Sequence, residues 1–114
     1  MCSISRTANE PACTATPLSV ASQEGHVAIV KILLDAEGID VNKPQIATGA
    51  TTLDVASEHG HVEIVKLLLG VEGIQVNKSN IEGSTPLVAA SQNNHIEIVE
   101  LLLGADGIEI NHPM

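Results

Sequence analysis

Aliphatic and polar positions along the chain fall into a phrase that recurs three times. Residues 61–70 read HVEIVKLLLG, residues 95–104 read HIEIVELLLG, and residues 26–35 read HVAIVKILLD. Between Val62 and Leu69 the only polar side chains are Glu63 and Lys66. They are three positions apart and so share one narrow stripe of a helix. The rest of that helix is branched aliphatic, and a helix apolar over most of its circumference has to be covered on several sides. Upstream of each phrase lies a more polar segment with a small residue at a matching place: Ala21, Ala56 and Ala90. Small residues there let neighbouring backbones approach closely. The pattern predicts two short helices per copy.

The copies align without a gap over Ala15–Asn42, Ala50–Asn77 and Ser84–Asn111. Only the connectors, Lys43–Gly49 and Lys78–Gly83, differ in length, which marks them as surface loops. Thr16 before Pro17, and Thr85 before Pro86, read as a helix N-cap followed by proline in the first helical position. The middle copy keeps the cap as Thr51 and puts Thr52 in the proline's place. Gly25 and Gly60 end the first helix in a left-handed conformation, with Asn94 as the tolerant substitute in the third copy. Glu63 and Glu97 fall in the first turn of the second helix, where the helix dipole favours negative charge. Gly38, Gly73 and Gly107 turn the chain beyond it. The tails GIDVN, GIQVN and GIEIN alternate apolar and polar, as short extended segments leading into β-turn fingers would.

No single helical hairpin of this kind can bury its aliphatic surface, whereas three stacked side by side can. The expected fold is therefore an all-α repeat solenoid of stacked helix-turn-helix layers with β-turn fingers. The layers are expected at 15–49, 50–83 and 84–111, after a poorly ordered segment 1–14 and before a short tail, 112–114.

Composition sharpens this picture. The chain has 114 residues, 44% of them hydrophobic, and no Phe, Tyr or Trp. Its core has to be small and aliphatic, which suits thin regular layers. Five basic against fourteen acidic residues give a formal charge of −9. Such a surface repels phosphate backbones and anionic headgroups, so neither nucleic acid nor membrane is an expected partner. A neutral or basic protein is. Cys2 and Cys13 both precede the repeats and read as free thiols. No apolar run approaches the roughly 18 residues that span a bilayer, and the first residues lack a signal-like hydrophobic stretch. A cytoplasmic location, or a nuclear one, is the expectation.

Candidate chemistry is sparse. His26, His61 and His95 recur once per copy, and a histidine bonding the turn between helices explains them better than a metal does. His59 and His61 form an H-x-H pair with no third ligand evident. Ser22, Ser57 and Ser91 recur at one helical position, which marks them as structural, and no G-x-S-x-G elbow, P-loop or dinucleotide fingerprint is present. The chain reads as non-catalytic, with no cofactor and no metal.

The segments TPLSVASQEGHVAIVKILL and STPLVAASQNNHIEIVELLL resemble the ankyrin repeat, with its T-P-L-H-x-A start, its G-H between helices and its hydrophobic second helix. The resemblance covers residues 15–111. The histidine usual after T-P-L is Ser19, Asp54 and Val88 here, the third copy has NNH in place of G-H, and each loop before Gly-Ile has an extra residue. The resemblance implies partner binding through a concave helix face and the fingers. At matching positions the helix-end residues are Gln23, Glu24, Glu58, His59, Gln92 and Asn93. The finger residues are Lys43, Gln45, Ile46, Ala47, Ile81, Glu82 and Ser84. It also implies that Asn42 and Asn111 are candidates for asparaginyl hydroxylation, Asn77 lacking the acidic residue two positions before it; the plainer reading is an asparagine bonding the turn backbone. Terminal repeats usually have a polar outer face, and the last helix here is as aliphatic as the internal one. A structural piece of a longer array, or self-association through the last repeat at Ile98 and Leu102, is the alternative to a partner-binding module.

Overall fold

Each hairpin starts where the sequence supplies an acceptor for unsatisfied helix N–H groups. The computed structural model describes residues 16–110. Its six helices are α1 Pro17–Glu24, α2 Val27–Leu34, α3 Thr52–His59, α4 Val62–Leu69, α5 Pro86–Gln92 and α6 Ile96–Leu103. Thr16 Oγ1 accepts from Ser19 N–H at 3.1 Å, and Thr85 Oγ1 from Val88 N–H at 3.3 Å, each ahead of a proline that fills the first helical position. In α3, where that proline is missing, Asp54 completes a capping box. Thr51 Oγ1 accepts from Asp54 N–H at 3.3 Å while Asp54 Oδ2 accepts from Thr51 N–H at 3.1 Å. The expected segments 1–14 and 112–114, with Cys2, Cys13 and Asn111, lie outside the described residues.

Helices α1, α3 and α5 form one row and α2, α4 and α6 a second, with α1 on α2, α3 on α4 and α5 on α6. The three layers lie in file. One aliphatic core runs through all of them, from Leu18 and Val30 through Leu53, Ile64, Val65 and Leu68 to Ile98 and Leu102. Burying such a side chain stabilises by about 1.5–3 kcal/mol. Whether a given position obtains this depends on its neighbour. Ile29 of the first layer is 47% exposed, whereas its counterparts Ile64 and Ile98, each covered by the preceding layer, are 0% exposed. Val30 and Val65 are buried by the layer that follows them; Val99, on the far side of the last one, is half-buried. Ile98 and Leu102 are consequently not the free surface expected from the sequence. The exposed apolar residues of α6 are Ile96 and Leu103.

Two polar staples accompany the core. His61 Nε2–H donates to Gln23 O at 2.8 Å, and His95 Nε2–H to Glu58 O at 2.9 Å. Each bond reaches the preceding layer and caps a carbonyl at the end of its first helix, where no intrahelical donor remains. The histidine was expected to bond the turn between helices, and the turn it meets is that of the preceding layer. At the opposite end, Asn42 Nδ2 donates to Gly73 O at 2.9 Å while its Oδ1 accepts from Gln75 N–H at 2.9 Å. Asn77 repeats the pair with Gly107 O at 2.7 Å and Glu109 N–H at 2.8 Å. The tails are therefore not extended throughout. Turns at Val41–Asn42 and Val76–Asn77 aim the amides at the next layer, and no strand forms among the described residues.

Gly25 and Gly60 have φ of 78°, and space is tight there as well. A Cβ on Gly60 would lie 2.7 Å from His95 Cε1, and one on Gly25 would lie 2.9 Å from His61 Cε1. At Gly73, φ 84°, nothing lies within 4 Å. Gly73→Ala is expected to cost the ordinary left-handed penalty of about 1–2 kcal/mol. Gly60→Ala is expected to cost at least about 1 kcal/mol more, because the ring is displaced and Glu58 O loses its donor. Urea denaturation of the two variants measures the difference, and equal losses would show that the histidine staple contributes nothing.

Candidate partner-binding surface

The fingers are built by short-range hydrogen bonds. Gln45 N–H donates to Ala50 O at 2.9 Å and Gly49 N–H to Gln45 O at 2.7 Å, closing the first. In the second, Asn80 N–H donates to Ser84 O at 3.0 Å, and Asn80 Oδ1 accepts from Glu82 N–H at 2.9 Å and Ser84 N–H at 3.0 Å. Ile81 N–H donates to Thr48 O at 2.9 Å, which ties one finger to the other. Gln45 Nε2 reaches Ser19 Oγ at 3.4 Å and anchors the first finger to the start of α1.

Between these fingers and the ends of the first helices lie two adjoining recesses. The larger, of about 390 Å³, is lined by Gln23, Gln45, Glu58, His59, Ile81 and Glu82 among others. The smaller, of about 140 Å³, shares Glu58 and Glu82 and adds Asp54, Gln92 and Asn93. Most of the residues expected to meet a partner are thus gathered on one continuous surface. Glu24, Lys43, Ile46 and Ala47 line neither recess; Ile46 stands exposed on the first finger. Ser84 lies at the base of the smaller recess but is buried, so it builds the finger and presents little to a partner. Ile81 leans on the first finger, its Cγ2 3.0 Å from where a Gly49 Cβ would stand, yet it remains exposed.

The histidine and serine positions are occupied with structure. His59 Nδ1–H donates to Val55 O at 2.9 Å, and its ring lies nearly parallel to that of His61 with centroids 6.3 Å apart. Among the described residues no three of His, Cys, Asp or Glu are gathered so as to hold a metal ion. Ser22 and Ser57 are buried with hydroxyls that meet no partner, and Ser91 Oγ–H donates to Leu87 O at 2.7 Å.

The residue that the sequence reading left out of the site is Asp54. Its side chain is accepted into the interior, 4% exposed. Oδ2 takes the Thr51 bonds, and Oδ1 has no partner. Burial pushes its carboxyl up from 3.8 to about 7; the two Thr51 bonds pull the other way, nearby Glu58 adds to the rise, and Lys78 opposes it. Thr51 and Asp54 at capping-box spacing, with an acid at the position where the repeat usually has histidine, were the available signals.

Six helices stacked as three hairpins with linked fingers define a helical-repeat protein. A family model described as ankyrin repeats, three copies, matches residues 4–80 and, overlapping these, residues 40–114, and the chain belongs to the ankyrin-repeat family. No curated protein matches it. Ankyrin repeats are generally protein–protein interaction modules, and the family is generally non-enzymatic.

Because the folded state keeps a proton on Asp54 that the unfolded chain releases near its ordinary carboxylate range, stability falls as pH rises from about 4 to about 7 and levels off above. Asp54→Asn keeps an acceptor for Thr51 N–H and carries no charge. Between pH 5 and 8 the wild type is expected to lose on the order of 2 kcal/mol relative to this variant. Paired urea titrations across that range check it, and parallel pH profiles would refute the assignment.

Proposed function

We propose that this chain is a non-catalytic protein-interaction module that grips a partner between its first-helix ends and its two fingers. The observation that carries the reading is the gathering of the copy-to-copy variable residues, Gln23, Glu58, His59, Gln92 and Asn93, with Gln45, Ile81 and Glu82 along one recessed surface. Stacking positions keep their chemistry from copy to copy while these change, as expected of a surface tuned to something outside the fold. The layers are already ordered, so little conformational entropy is lost on binding. The formal charge of −9 favours a neutral or basic partner and an association rate that falls with added salt.

The alternative, stacking of a further copy on the last repeat, has in its favour the exposed Ile96 and Leu103. Against it stands Asn94, at φ 60°, in the position that glycine holds in the other layers. Another layer in the same register would bring its histidine onto the Asn94 side chain. Hydroxylation at Asn42 fits the same module. Both polar atoms of its side chain are held by the next layer, so the tail turn has to open before an enzyme reaches it.

A pull-down from native extract with the wild type, with a variant carrying Glu58→Ala, His59→Ala, Gln92→Ala and Asn93→Ala, and with a Glu63→Ala, Lys66→Ala control tests the surface. Proteins retained by wild type and control are expected to be lost by the fourfold variant. Identical retention by all three would place the interface elsewhere.

A further inference from the structure

Each end of the stack exposes one half of the contact that joins its layers. Inside the stack, Ile64 and Ile98 are sealed by the layer before them, and Val30 and Val65 by the layer after. The first layer shows the half that a preceding layer would cover: Ile29 and Ile32, three apart on α2, are 47% and 69% exposed. The last layer shows the other half. Ile96 and Leu103 are exposed, Val99 is half-buried, and Ile96 and Val99 line a shallow hollow of about 150 Å³ with Ala90 and Asn94. In the middle layer the counterparts of Ile96 and Leu103, Val62 and Leu69, are half-buried, and α6 stands against that helix. The polar groups of the two ends match as well. His61 and His95 reach back to Gln23 O and Glu58 O, whereas His26 is exposed with no described layer before it, and Gln92 O is the carbonyl at the corresponding place in the last layer. Charge agrees. Lys31, Lys66 and Glu100 occupy one row of the repeat, so a first layer set on a last layer brings Lys31 beside Glu100. Two last layers set face to face would bring only Glu97 and Glu100 together, since α6 has no basic residue.

We propose that the outer face of the last layer fits the first layer of a second copy of this chain, and that the Asn94 side chain alone holds that joint shut. Both internal joints depend on a glycine beneath the incoming imidazole. A Cβ on Gly25 would lie 2.9 Å from His61 Cε1, and one on Gly60 would lie 2.7 Å from His95 Cε1. Asn94 holds the same position in the last layer, at φ 60°. The turn around it is unchanged, because His95 N–H donates to Ala90 O at 2.9 Å just as His61 N–H donates to Ala56 O at 3.1 Å. The Asn94 Cβ therefore falls where the His26 ring of an added copy would lie, and the amide beyond it needs more room still. Swinging the ring aside does not solve this, since Gln92 O then loses its donor. Glycine at position 94 would open the joint. The two faces belong to opposite ends of the chain, so the contact is heterologous and each added copy presents a fresh last layer. Opened joints then build open chains in place of closed pairs.

Sedimentation equilibrium of the full chain under reducing conditions, from about 10 µM to about 1 mM, tests this. The wild type is expected to keep the mass of a single chain throughout. Asn94→Gly restores the residue that the other two layers use in this turn. It is expected to stay folded by circular dichroism and to gain weight-average mass past that of a dimer as concentration rises. Adding Ile29→Asp, at a position already half in solvent, is expected to return it to a single chain. That double variant has an open last layer, and the wild type has an intact first layer. Mixed, the two are expected to form a one-to-one pair and nothing larger. Asn94→Gly remaining a single chain, wild type associating as far as Asn94→Gly, association that survives Ile29→Asp, or no pairing in the mixture would each overturn the proposal.

Discussion

The structure depends on one constraint: no layer can keep its aliphatic helix dry without the next. Ile29, Ile64 and Ile98 occupy one position in the repeat, yet the first is half in solvent and the other two are fully buried. The side chain is the same in all three. What differs is whether another hairpin stands against it. Stability in such a chain is a sum of weak units and their interfaces, so the contact between layers carries the cooperative part.

Hydrogen bonds align that contact, which aliphatic packing alone does not orient. A histidine from each later layer caps the preceding first helix, and an asparagine from each of the first two layers binds the backbone of the following tail. Placed at opposite ends of the hairpins, the two bonds fix rotation and spacing while Leu and Ile supply the area between them. Gly25 and Gly60 belong to the same device, since they provide both the left-handed turn and the space for the imidazole. The surface facing the fingers is released from these duties, and there the copies diverge.

Asp54 shows both what a departure from the repeated pattern supplies and what it costs. In the layer that lacks the helix-starting proline, it closes a capping box and so supports α3 locally. The same carboxyl is buried at a cost, with one oxygen left without a donor. Ser19 and Val88 at the matching positions carry no charge: the Ser19 hydroxyl donates to Thr16 O at 3.0 Å and accepts from Gln45 of the finger, and the Val88 side chain is apolar.

The sequence by itself determined the local structure and the repeat. Caps at Thr16, Thr51 and Thr85, left-handed stops at Gly25, Gly60 and Asn94, and with them the limits of α1, α3 and α5 follow from short-range sterics and hydrogen bonding, which a linear pattern records. Most of the candidate surface was legible too, because residues that vary within a regular repeat stand out against those that do not. Only the tertiary structure decided which layer a side chain serves. His61, His95, Asn42 and Asn77 bond across to a neighbour about thirty or more positions away, Ile98 and Leu102 turn out to face inward, and Asp54 becomes a wall of the recess. Periodicity reports which positions share a face, but the direction of stacking assigns that face to one neighbour or the other, and nothing within a single copy encodes it.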